Sequence, residues 1–86
     1  MRGTRLTSEM FVLLSRYSEI PLVHIMKMDT YGLVDQEHAL DVVLDGEFFR
    51  LYQEKKSYPA YLAEVVAEHY KVSIPRVKKA IRNMKH

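Results

Sequence analysis

Between residues 59 and 84 the chain reads as two helices with a three-residue break between them. Leu62, Val65, Val66, His69 and Tyr70 stand at i, i+3, i+4, i+7 and i+8, the spacing of a helix with one apolar face. Pro59 just upstream is a start signal. Lys71-Val72-Ser73 is a tight connection, after which Ser73 can cap a second helix and Pro75 suits its first turn. In that helix, from Ile74 to about Lys85, Ile74, Val77, Ile81 and Met84 share one stripe. Arg76, Lys78, Lys79, Arg82 and Lys85 are expected on the other side. His69, on the apolar face of the first helix, is expected to be buried and hydrogen-bonded.

The upstream half is also helical in pattern. Thr7 can cap a helix reaching about residue 17, with Met10, Leu14 and Tyr17 inward and Phe11 and Leu13 widening the stripe. Ser18-Glu19-Ile20-Pro21 breaks it, and Pro21 opens a second helix over about 21–28, with Leu22, Ile25 and Met26 facing inward. Thr30-Tyr31-Gly32 is a turn in which Gly32 is free to take a positive φ. Asp35 can cap a third helix over about 36–44, with Ala39, Leu40, Val43 and Leu44 inward, and Asp45-Gly46 is expected to end it. Residues 47–52 read EFFRLY and leave two outcomes open. They form a strand pairing with 58–61, a β-hairpin wing at about 47–61, or they continue the third helix across Gly46. The expectation is a mainly α, single domain over 1–86 with four or five helices, N-terminal helices within 7–45 and a helix pair within 62–85.

Composition narrows the functional classes. A chain of 86 residues holds one modest core and often gains stability from a partner subunit. The absence of cysteine excludes a disulfide scaffold and a thiolate zinc site, and fits a reducing compartment, so a cytoplasmic location is expected. The basic start Met1-Arg2-Gly3-Thr4-Arg5 is followed by an apolar run, 10–14, too short for a secretory signal. No run approaches the roughly 20 apolar residues that cross a bilayer. His24, His38, His69 and His86 lack metal-ligand spacing, and Gly3, Gly32 and Gly46 form no phosphate loop. No metal, cofactor or small-molecule ligand is expected. Asp35, Glu37, Asp41 and Asp45 are candidate paired carboxylates, but so short a helical chain offers little cleft, and no enzyme is expected. Tyr52, Lys55, Lys56, Tyr58 and Tyr61 interleave aromatics with bases as single-strand binders do, and such tyrosines serve equally to cover a small core.

The net charge of +2 hides a strong asymmetry. Residues 17–50 hold Lys27 and Arg50 against seven acids, whereas residues 51–86 hold eight bases against Glu54, Glu64 and Glu68. An acidic middle beside a basic end points to a polyanionic partner or to complementary self-association.

Residues 63–82, AEVVAEHYKVSIPRVKKAIR, resemble the helix-turn-helix of bacterial and phage regulators, resolvases and transposases. Ala67 stands where the first helix must let the second approach. Tyr70 is the large residue before the turn, Val72 its apolar plug, Ser73 the cap, and Val77 and Ile81 the core side of the second helix. Lys71 departs from the glycine usual at the turn, at a cost of roughly 1 kcal/mol for a left-handed backbone. The resemblance implies double-stranded DNA as partner, met by Ser73, Pro75, Arg76, Lys78, Lys79, Arg82 and Lys85, with a homodimer on paired half-sites. Residues 10–17 are the expected dimer surface.

A second resemblance covers residues 11–70. FVLLSRYSEIPL (11–22), Tyr31-Gly32-Leu33, Ala39, Asp45-Gly46-Glu47 and the basic loop Glu54-Lys55-Lys56-Ser57 look like the pyocin-activator family of small phage-type regulators. That resemblance implies DNA reading by residues 36–44, with Arg50, Lys55 and Lys56 on a wing. The charges argue against it, since Glu37, Asp41 and Asp45 would face phosphates with no base beside them. Either placement implies DNA binding, and the expectation is a sequence-specific DNA-binding transcriptional regulator of phage or mobile-element type. The alternative from another class is a small protein-binding adaptor or inhibitor acting through the acidic segment 35–47.

Overall fold

The computed structural model describes residues 6–84. Thr7 opens the first helix, α1 (Ser8–Ser18), its hydroxyl oxygen accepting the Met10 N–H at 3.2 Å. Met10, Leu13 and Leu14 are buried on one side of it. The helix stops at Glu19 in a left-handed conformation, and Pro21 then leads into α2 (Leu22–Thr30). α2 lies beside α1 and buries Ile25, while Leu22 and Met26, expected inward, stay exposed. Its end is the predicted turn, with Gly32 at φ 71. Asp35 caps α3 (Gln36–Lys55) by accepting the His38 N–H at 3.1 Å.

Asp45-Gly46 does not end α3, which runs on to Lys55 for a total of 20 residues. Of the two outcomes open for 47–52, the helix is the one observed, and no strand or wing occurs among the described residues. Gly46 sits in mid-helix because the ring of Tyr17 lies against its backbone: a Cβ there would stand 2.6 Å from a Tyr17 ring carbon. The glycine thus serves close approach of α1 rather than termination. Downstream, Arg50 bonds Glu47 at i−3 and Glu54 at i+4, pairs that only a helix brings together.

α3 ends on Lys56, left-handed at φ 52, and α4 (Pro59–Tyr70) follows with proline in its first turn. Lys71 is left-handed at φ 58, and the Val72 N–H reaches back to the Ala67 carbonyl at 3.0 Å. The Ser73 hydroxyl oxygen then accepts the Arg76 N–H at 3.2 Å and starts α5 (Ile74–Asn83). Five helices make the described part of the chain mainly α, as expected.

One apolar cluster draws on all five helices. α3 is its axis: α1, α4 and α5 all pack on it, and α4 and α5 pack on each other. Val43 and Leu44 of α3, Leu62 of α4 and Val77 and Ala80 of α5 are completely buried where these three helices meet. Removing a leucine from such a site costs about 3 kcal/mol, so the α3–α4–α5 junction contributes strongly to stability.

Candidate nucleic-acid interface

The orientation of α5 is set by α3. Arg76, in the first turn of α5, places Nη1 2.5 Å from the Asp41 carboxylate and donates from Nη2 to the Glu37 carbonyl at 3.1 Å. Seven residues later Asn83 donates to the other oxygen of the same Asp41 carboxylate at 3.2 Å. One buried acid therefore grips α5 near both ends. With Val77 and Ala80 buried between these grips, the opposite side of α5 must face outward.

That outward side carries Pro75, Lys78, Lys79 and Arg82, all exposed, within about 100° of the helix circumference. Lys78, Lys79 and Arg82 form no ion pair with any described residue. Three unneutralised cations on one helical face make a short positive strip. Ser73 stands at its start, its hydroxyl oxygen occupied by the cap. Lys85 lies outside the described residues.

Arg76 does not belong to the strip. Its side chain is 15% exposed and committed to Asp41 and Glu37, because its position on α5 turns it toward α3. Arg50, expected as a wing contact, is held by Glu47 and Glu54, whose hydrogen bonds and charge keep its guanidinium firmly charged and occupied. Lys55 and Lys56 are exposed at the end of α3, on a helix terminus and not on a wing. His69 is exposed, with Nε2 3.8 Å from a Glu9 carboxylate oxygen, and is not the buried histidine expected. The core side of α4 is centred on Leu62, Ala63, Val66, Ala67 and Tyr70, which leaves His69 at its edge.

Most of the acidic segment is turned inward. Asp41, Asp45 and Glu47 are buried, while Asp35, Glu37 and His38 at the start of the segment stay exposed. Glu47 is a junction of three helices: Tyr17 of α1 donates to one carboxylate oxygen, Tyr70 of α4 to the other at 2.9 Å, and Arg50 to both. Burial opposes the charged form of Glu47, but the bonds from Arg50, Tyr17 and Tyr70 outweigh it and hold its carboxyl below the ordinary value. The Tyr17 hydroxyl, buried against this carboxylate, is pushed up to about 12. The expected dimer surface is also largely spent, since Met10, Leu13 and Leu14 face the molecule's own core.

Sequence reasoning missed Asp41 and Glu47 as organisers of the site. Their partners on other helices lie 23 to 42 residues away in the chain, beyond the reach of periodicity. Among the described residues no three His, Cys, Asp or Glu side chains converge as a metal site, and no helix is long and apolar enough to cross a membrane. No family model, curated protein or solved structure matches this chain.

Proposed function

We propose that this protein is a sequence-specific DNA-binding transcriptional regulator of phage or mobile-element type, working in the cytoplasm. In this reading α4, the turn 71–73 and α5 form a helix-turn-helix, and α5 is the reading helix. One observation carries it: α5 is locked by Asp41 so that Lys78, Lys79 and Arg82 project together, unpaired, on its outward face. A helix fits the major groove, where Lys and Arg donate to guanine O6 and N7 or to phosphates. Pro75 offers an apolar edge to a thymine methyl. A single reading helix reaches few base pairs, so useful selectivity calls for a second copy on a paired half-site.

The burial of Asp41, Asp45 and Glu47 favours this reading over an adaptor working through residues 35–47, because those carboxylates are engaged inside the fold. The test is retention of genomic DNA fragments by the full chain at about 50 and about 200 mM salt. The expected result is that most fragments are lost at the higher salt and one or a few remain. Retention of nothing at the lower salt, or of every fragment alike at both, overturns the proposal.

A further inference from the structure

Beside the cationic strip the α4–α5 pair leaves an open groove of about 350 Å³. Phe48 of α3, Pro59, Ala60 and Ala63 of α4 and Ile81 of α5 make it apolar, and Lys78 and Arg82 stand along one wall. These two cations are one helical turn apart, about 6 Å along the α5 axis. No carboxylate lines the groove, and neither cation is neutralised by a described residue. The complement of such a surface is an apolar ridge with anions along its flank. Small ligands are usually enclosed over most of their surface, and this groove is open along its length. An open trough between helices suits a third helix laid into it, with anchors at i, i+3, i+4 and i+7. Alanine at positions 60 and 63 leaves room for that backbone to come close.

We infer that the groove binds an acidic amphipathic helix of a partner protein, its apolar side on Phe48, Ala60 and Ile81 and its carboxylates on Lys78 and Arg82. DNA would claim the same two cations, so the helix and DNA exclude each other, and a protein carrying such a helix switches the regulator off. The exclusion rests on the DNA reading above; the groove itself does not.

The probe is a fluorescent peptide of roughly 18 residues, five helical turns, with a leucine stripe flanked by glutamates. It is compared with a twin carrying glutamine at those positions, on the full chain and on Ala60→Trp. Ala60 is exposed in the first turn of α4, so tryptophan fills the groove while both cations and the core stay as they are. Fluorescence anisotropy should show saturable binding of the acidic peptide, weakened about tenfold by the glutamine change and about tenfold by Ala60→Trp. A retained DNA fragment should bind Ala60→Trp as it binds the natural protein, and the acidic peptide should displace it. Absence of saturable peptide binding, equal binding of the twin, or equal binding to Ala60→Trp overturns the inference. Peptide binding that behaves as expected in a protein that retains no DNA fragment upholds the groove and removes the DNA reading; retained DNA with no peptide binding does the reverse.

Discussion

Charge is used in opposite ways on the two helices that cross the centre of this protein. On α3, Asp41 and Glu47 are buried and fully engaged, each tying together elements distant in the chain. On α5, Lys78, Lys79 and Arg82 are exposed and unpaired among the described residues. A buried carboxylate persists only where bonds to the charged form repay its desolvation, whereas exposed cations contribute almost nothing to stability. The α3 acids therefore serve the fold, and the α5 bases are free to serve a partner. The two sets meet at Arg76, which sits on the basic helix but is used as a structural residue because it points at Asp41.

Several measurements can break this division. The largest effect is expected at Glu47. Glu47→Ala leaves the hydroxyls of Tyr17 and Tyr70 and the Arg50 guanidinium without their shared acceptor, and should cost about 3 kcal/mol in denaturant unfolding. A loss near zero would mean that the junction is surface decoration. The same residue gives a pH signature. Its carboxyl titrates lower in the folded chain than in the unfolded chain, so its contribution is present above the ordinary carboxylate range, about 4.3, and lost as pH falls through the lower folded value. The acid limb of the stability curve should be shallower in Glu47→Gln than in the natural protein. Next in size, Gly46→Ala should destabilise by about 2 kcal/mol despite the better helix propensity of alanine, because its methyl meets the Tyr17 ring, itself anchored to Glu47.

Those residues also mark where the sequence stops being readable. Helix starts were legible at Thr7, Asp35 and Ser73 because a cap is a local event: an oxygen and an N–H three residues on. The α4–turn–α5 unit was legible down to the left-handed Lys71, since tight turns are dictated by the few residues within them. At Gly46 the sequence leaves a stop and a continuing helix both open, because the reason for the glycine, the Tyr17 ring, lies on another helix. Arg76 and His69 were misplaced for a related cause. Helical spacing tells which residues share a side, but the neighbours that pack there decide where the edge of that side falls. The outward strip Pro75, Lys78, Lys79 and Arg82 was legible as a face, while the Asp41 grip that aims it was not.

A smaller effect of opposite sign tests the turn. Lys71→Gly removes the left-handed penalty at an exposed position and should stabilise the protein by about 1 kcal/mol, leaving DNA retention altered only by the single lost charge.

The smallest expected change in stability accompanies the largest expected change in function, and it bears on the division most directly. Lys78→Glu, Lys79→Glu and Arg82→Glu combined should shift unfolding by no more than about 0.5 kcal/mol and abolish retention of the selected DNA fragment. Retention at its original strength by that folded triple variant would contradict the account.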